Sequence, residues 1–308
     1  MKFDVIIIGG GAAGLSAGLW CVELGLNALL LEANTELGGQ LLWVYNSIKN
    51  HLGSEAENGR ELRDIFVRQI EKRRFAVRLQ SEISDINLEK REVLLCTGEK
   101  FHARFLIIAT GIRRRKLNVE GEGRFKNKGI IESGKRDAQS VRDKEVCVIG
   151  GGDAAFENAL ILAETASVVT LVHHQKNFRA RAKFVEQAKN NPKLKILTDA
   201  AVRKIAGRER IETVEIENLN TKQKVVLAVE VVLIRIGVEP NTEILRGKLD
   251  LDENSYVKIN NLCETSEKGV FAIGDVANPI APTISSAVGM GATAAKAIFA
   301  GRYSQQSL

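Results

Sequence analysis

A chain of 308 residues, 44% of them hydrophobic, is long enough to bury the cores of about two domains. Its formal net charge of +6 favours acidic partners over basic ones, yet aromatics are only 5% and no basic, aromatic-interleaved motif appears, which argues against a nucleic-acid binder. No apolar run approaches the roughly 18 residues that span a bilayer, and the short run after Lys2 is broken by glycines instead of forming a signal peptide, so the chain reads as a cytoplasmic protein without a membrane partner.

The opening stretch organises the rest. Val5 to Ile8 are four consecutive apolar residues, the pattern of a parallel strand covered on both faces. Gly9, Gly11 and Gly14 then fill the glycine positions of G-x-G-x-x-G, for a tight turn, for backbone approach to a pyrophosphate and for close helix packing. Glu32 ends a second apolar run that starts at Ala28, where a carboxylate accepts hydrogen bonds from a ribose diol. Strand, glycines, helix and acidic residue in that order predict a dinucleotide site.

Two loops follow, Leu37-Gly-Gly-Gln-Leu41, too polar at Gln40 for a core, and Ile48-Lys-Asn-His-Leu-Gly53. Gly59 to Arg73 carries Leu62, Ile65, Phe66 and Ile70 at the spacing of an amphipathic helix with a basic far face. Phe105 to Gly111 reads as another buried strand ending in a small-residue turn. From Lys144 the opening grammar repeats: a strand, G-x-G-x-x-A on Gly150, Gly152 and Ala155, and a helix carrying Glu157. The next strand, Val168 to Val172, delivers a loop from His173 to Arg179. Two such units predict two bound nucleotides, as when a nicotinamide cofactor reduces a flavin; the alternative is a duplicated domain whose second site is empty. Beyond Leu194, alternating strands through Ile236 read as the sheet that finishes the second domain. A strand ending in Gly274-Asp275 and a small-residue helix from Thr283 to Ala300 complete the chain.

Cysteines at 21, 96, 147 and 263 are too scattered for a disulfide framework and none share C-x-x-C spacing, so no metal site is expected. Cys96 and Cys147 fall in apolar strand-like runs, which predicts buried thiols.

On these residues the chain resembles the low-molecular-weight thioredoxin reductase family of FAD- and NADPH-dependent flavoproteins. Seven motifs match in order over nearly the whole length: the first glycine loop with Glu32, Gly38-Gly39-Gln40-Leu41, Asn50, Ala109-Thr110-Gly111, the second glycine loop, Gly237 with Pro240-Asn241, and Gly274-Asp275. The resemblance implies an α/β fold of two Rossmann-like domains, an FAD-binding domain made of residues 1–112 and 242–308 with an NAD(P)-binding domain, 113–241, inserted in it. It implies FAD on Gly9, Gly11, Gly14, Glu32, Gly39, Gln40, Asn50, Thr110, Gly111, Gly274 and Asp275. NADPH or NADH would lie on Gly150, Gly152, Ala155, Glu157, His173, His174, Lys176 and Arg179. A homodimer with a swinging inserted domain is also implied.

Two departures bear on activity. The family's C-A-T-C-D-G redox loop precedes the second glycine motif, and counting back seventeen residues from Gly150 places its cysteines at Ser133 and Arg136. Only the acid persists, as Asp137, which is left as the candidate catalytic residue; serine and arginine form no disulfide. The family's H-R-R-x-x-x-R, whose guanidiniums hold the 2′-phosphate of NADPH, here has His174 and Gln175 in place of its two middle arginines, with Arg179 retained and Lys176 and Arg181 as partial substitutes. No acidic residue ends the preceding strand, so the choice between NADPH and NADH stays open. Without an internal disulfide the reduced flavin must hand electrons outward. The expected acceptor is an acidic protein carrier such as ferredoxin or flavodoxin, steered by Arg113 to Lys116, Lys135-Arg136 and Lys72 to Arg74. The alternatives are a small acceptor such as a quinone, oxygen or a disulfide, and a non-turnover flavin sensor with a degraded nicotinamide site.

Overall fold

Residues 3–73 and 75–304 are described by the structure, a computed structural model, so Lys2 and Arg74 lie outside the described residues. The described chain forms two units, one made of residues up to Arg113 together with those from Glu239 onward, the other of Arg114–Val238.

In the first unit the unbroken apolar runs become strands because both faces of their sheet are covered. Strand Phe3–Ile8 lies between Ala28–Leu31 and Lys100–Ile108, all parallel, with Ala76–Arg78 beyond Ala28–Leu31 and Val270–Ala272 beside Lys100–Ile108. Successive side chains point to opposite faces. Val5 and Ile7 therefore join a core with Leu15, Ala294 and Ile298, while Ile6 and Ile8 join another with Val93, Leu245 and Val276. Helices Ala12–Glu23 and Ile284–Ser304 cover the first of these faces. They approach closely because small residues meet: a Cβ on Gly291 would lie 2.6 Å from the Ala13 carbonyl oxygen, and the Ser16 hydroxyl donates to the Val288 carbonyl at 2.7 Å. Helix Gly59–Glu71 starts at Asn58, whose side-chain oxygen accepts from Glu61 N at 3.1 Å, and buries Leu62, Val67 and Ile70.

The second unit is built on a parallel sheet ordered Leu194–Leu197, Val168–Val172, Glu145–Ile149, Val231–Ile234, Ile130–Ile131. The expectation of one continuous finishing sheet after Leu194 is corrected. Leu194–Leu197 and Val231–Ile234 join the parallel sheet, while Ala200–Ala206, Thr213–Asn218 and Lys224–Ala228 form a separate antiparallel sheet. Alternation explains the split. Val202, Ile205, Val214 and Ile216 bury one face against Cys147, Ile149 and Val232, while Lys204, Glu215, Glu217 and the exposed Val226 lie on the other.

Cys147 is buried as expected, but Cys96 is exposed. Strand Glu92–Leu95 ends one residue before it, and the chain turns there towards Lys100. Among the described residues no helix is long and apolar enough to cross a membrane.

Candidate dinucleotide sites

The first glycine turn leaves the end of strand Phe3–Ile8. Gly9 has φ of +109°, and a Cβ there would meet the Ala109 carbonyl oxygen at 2.3 Å; on Gly14 it would fall 1.9 Å from the Gly9 carbonyl oxygen. Only glycine lets the helix come this near the strand end. Gly11 differs, since the nearest atom to a Cβ there is Gly39 Cα at 3.8 Å. That open side adjoins the start of helix Ala12–Glu23, whose N-cap, Gly11, offers no side-chain acceptor. Unanswered helix N–H groups beside an open glycine face fit a pyrophosphate.

Around this turn the first unit gathers polar groups. Glu32, 5% exposed, accepts from Gly10 N at 2.7 Å through Oε2 and from Asn34 N and Nδ2 at 2.9 and 2.7 Å through Oε1. A carboxylate has about four acceptor sites, so with three filled, room remains for one ribose hydroxyl. Gly38 N donates to the Gly10 carbonyl at 2.9 Å, laying the Gly38-Gly39 loop across the turn. Gln40 is exposed, with Nε2 donating to the Ile112 carbonyl at 2.8 Å. Thr110 and Asn241 exchange hydrogen bonds of 2.9 and 2.8 Å, beside Gly111 at φ of +65°. Gly274 would place a Cβ 2.8 Å from that of Ala13. The next residue, Asp275, is half-buried with no side-chain hydrogen bond or ion pair among the described residues, and burial pushes its carboxyl up. Asn50 is exposed on a loop whose His51 Nδ1 lies 3.1 Å from Ser285 Oγ at the start of the C-terminal helix.

The second turn repeats the backbone with other chemistry. A Cβ on Gly150 would meet the Arg235 carbonyl oxygen at 2.1 Å, and one on Gly151 would strike the His173 ring at 2.3 Å, but one on Gly152 would meet nothing within 4 Å. Gly152 caps helix Asp153–Ala163, again without a side-chain bond; Ala155 is buried in its first turns and Glu157 half-buried. His173, first residue past its strand, occupies the place that Glu32 takes in the first unit and is likewise 5% exposed. Its Nε2 lies 3.2 Å from the Asn177 carbonyl, and its Nδ1 is buried without a partner. Burial holds this imidazole below its ordinary titration range, with His174 and Arg179 adding to the effect. His174, Gln175, Lys176 and Arg179 are exposed. Arg179 N donates to the Gly151 carbonyl at 3.0 Å, seating the loop on the turn. Arg181 is committed elsewhere, its Nε to Asp153 Oδ2 at 2.8 Å.

Residues 3–291 match the family of pyridine nucleotide-disulphide oxidoreductases. The chain belongs to that family. It is 33% identical over 294 residues to a thioredoxin reductase of Mycolicibacterium smegmatis, covering 94% of each chain. It is 33% identical over 285 residues to a ferredoxin–NADP reductase of Picrophilus torridus, covering 90% of this chain and 86% of that one. The solved thioredoxin reductase of Lactococcus lactis matches with a TM-score of 0.86 at 29% identity, covering 97% of this chain and 98% of that one. The fold is thus thioredoxin reductase-like, α/β with two dinucleotide-binding domains, and FAD and NADPH are the cofactors of these homologues.

Against this family background the segment counted to the redox cysteines is a closed polar turn. Ser133 Oγ accepts from Arg136 N at 3.3 Å, capping the short helix Gly134–Asp137, and Asp137 Oδ2 accepts from Glu132 N and Ser133 N at 2.9 and 3.0 Å. Burial pushes the Asp137 carboxyl up, but Arg136 and these N–H groups outweigh it and hold it below the usual range. The three buried thiols are poor substitutes. Burial pushes Cys21 and Cys147 up to about 12 and Cys263 up to about 11.

The basic runs are more neutralised than their sequence suggests. Arg113 pairs with Glu239 at 2.8 Å and with Glu243, Arg114 with Glu132 at 2.6 Å, Arg136 with Asp137 at 2.7 Å and Arg73 with Glu23 at 2.8 Å. Arg115 donates to the Val238 carbonyl at 2.9 Å, while no ion pair engages Lys116 or Lys135 among the described residues. Sequence reasoning missed Gly10, Asn34 and Arg235. Gly10 was visible as the middle of three glycines, and Arg235 as the one charge in Val231-Val-Leu-Ile-Arg-Ile-Gly237.

Proposed function

We propose that this chain is an FAD-dependent NAD(P)H oxidoreductase of thioredoxin reductase-like build that delivers electrons straight to an external acceptor. FAD would lie on the first turn, with Glu32 towards the ribose, Asp275 towards the ribitol or pyrophosphate, and Gly39, Gln40, Asn50, Thr110 and Gly111 around it. The nicotinamide nucleotide would lie on the second turn with the His173 to Arg179 loop towards its adenosine end. When bound, FAD supplies the acceptance of a hydride and its release as electrons. The protein supplies helix N–H groups for phosphate and backbone closeness at Gly11 and Gly152. The observation that carries the reading is the closed Ser133 to Asp137 turn, where no cysteine pair can relay electrons.

The acceptor we favour is an acidic one-electron carrier such as ferredoxin or flavodoxin, reduced by a cytoplasmic homodimer. The +6 charge and the name of the Picrophilus relative support it. A second reading, reduction of a small acceptor, is favoured by the ion pairing that spends Arg113, Arg114 and Arg136 internally. Anaerobic stopped-flow mixing with NADPH and NADH should bleach the flavin, and reoxidation by ferredoxin or flavodoxin should slow steeply as salt rises. Flavin that neither nucleotide reduces would sink the oxidoreductase reading and leave a sensor. Salt-independent reoxidation would favour the small acceptor.

A further inference from the structure

Arg235 is the residue just past strand Val231–Ile234, which neighbours Glu145–Ile149, the strand that ends in the second glycine turn. Its backbone is part of that turn: Arg235 N donates to the Ile149 carbonyl at 2.7 Å, and its own carbonyl is what forbids a Cβ on Gly150. In sheet order this strand flanks Glu145–Ile149 on the side opposite Val168–Val172, the strand that delivers His173 to Arg179.

The side chain is half-buried, and among the described residues its hydrogen bonds end on carbonyls, Nη1 on Ile234 at 3.0 Å and Nη2 on Glu132. The neighbouring carboxylates serve other arginines, Glu132 Oε2 accepting from Arg114 at 2.6 Å and Asp137 Oδ1 from Arg136 at 2.7 Å. Burial first, then the repulsion of Arg114, brings the Arg235 guanidinium down to about 10, so it still carries its charge at neutral pH. A half-buried guanidinium with no carboxylate bonded to it among the described residues carries a cost that a bound anion would relieve.

We propose that Arg235 anchors a phosphate oxyanion of the nucleotide at the second glycine turn, on the side away from the His173 to Arg179 loop. This rests on the second turn being the nicotinamide site. The pyrophosphate is common to NADH and NADPH, so the anchor strengthens both equally. It offsets the guanidiniums absent at His174 and Gln175 without restoring a preference for the 2′-phosphate.

The test measures dissociation constants of NADP⁺ and NAD⁺ with the flavin-loaded protein, for the wild type, Arg235→Gln and Arg235→Lys, each checked by thermal melting. Arg235→Gln should weaken both nucleotides by one common factor of about tenfold or more, the scale of one charged hydrogen bond. Arg235→Lys should lie between, since charge is kept and the planar fork lost. It carries the test alone if the glutamine variant melts early. Inorganic pyrophosphate should compete with both nucleotides in the wild type and compete less well in either variant. Unchanged constants, or a loss confined to NADP⁺, would overturn the proposal. So would inorganic phosphate or pyrophosphate that binds alongside the nucleotide, which would mark a separate free-phosphate site. A wild type that binds neither nucleotide would overturn the nicotinamide reading itself, and is thereby told apart from failure of Arg235 alone.

Discussion

The two glycine turns share a backbone and differ at the residue that faces it. In the first unit Glu32 gives the turn a carboxylate held by Gly10 and Asn34; in the second His173 gives it a neutral imidazole wedged against Gly151 with Nδ1 unanswered. The third motif position also differs, Gly14 in one and Ala155 in the other. Without a side chain, the first helix sits against the Gly9 carbonyl, while the second unit tolerates a methyl. On the proposed reading, helix N–H groups at both turns would serve the phosphates, while Glu32 and His173, each one residue past its strand, would set the chemistry beside them.

The largest effects should come from breaking the backbone part. Gly14→Ala sets a methyl 1.9 Å from the Gly9 oxygen and should cost about 2 to 3 kcal/mol of stability in chemical denaturation, with loss of flavin. The reverse change in the second unit, Ala155→Gly, should cost only about 1 kcal/mol, the helix propensity of glycine. Gly11→Val separates binding from folding. Its side chain would meet little protein but would occupy the pyrophosphate space, so the protein should fold and melt normally yet stay colourless when FAD is added. A yellow Gly11→Val protein would show that the first turn is not the flavin site.

A smaller effect should come from the recognition loop. His174 and Gln175 are exposed and Arg181 is tied to Asp153, which leaves Lys176 and Arg179 as the loop's cations without an ion pair among the described residues. The double variant His174→Arg with Gln175→Arg should raise affinity for NADPH over NADH by at least about tenfold, read as a ratio of dissociation constants. An unchanged ratio would remove this loop from the 2′-phosphate.

Much of this comparison was legible in the sequence because it lies in short-range pattern. Four apolar residues followed by spaced glycines specify strand, turn and helix wherever they occur, and they occur at Val5 and at Val146. Most of what escaped depends on partners distant in the chain. Arg113 to Lys116 reads as a positive patch until Glu132, Glu239 and Glu243 are brought beside it. Cys96 escaped for a local reason, the turn at Leu95 to Glu99 that ends its strand one residue early. Arg235 acquires meaning only once its strand is paired with Glu145–Ile149, 85 residues earlier in register at Val231 and Val146.

The least effect, and the one that most sharply separates the units, should be in the pH dependence of stability. His173 binds its proton less readily folded than unfolded, since burial lowers its pKa. The unfolded chain then takes up more protons below about pH 6.5, the ordinary histidine value, and stability falls as pH drops through that range towards the folded value. His173→Asn should flatten this limb. Asp275 has the opposite sign. Burial raises its folded pKa, so the folded chain holds the proton longer, and stability declines as pH rises from the ordinary carboxylate range through the folded value. Asp275→Asn should therefore stabilise the flavin-free protein at neutral pH, with the gain vanishing on acidification, while weakening FAD by about tenfold through a lost charged hydrogen bond. Denaturation of both variants and the wild type at pH 4 to 8 checks the signs. A gain from Asp275→Asn that persists at pH 4, or an acid limb unchanged in His173→Asn, would show that these two groups do not set the difference between the turns.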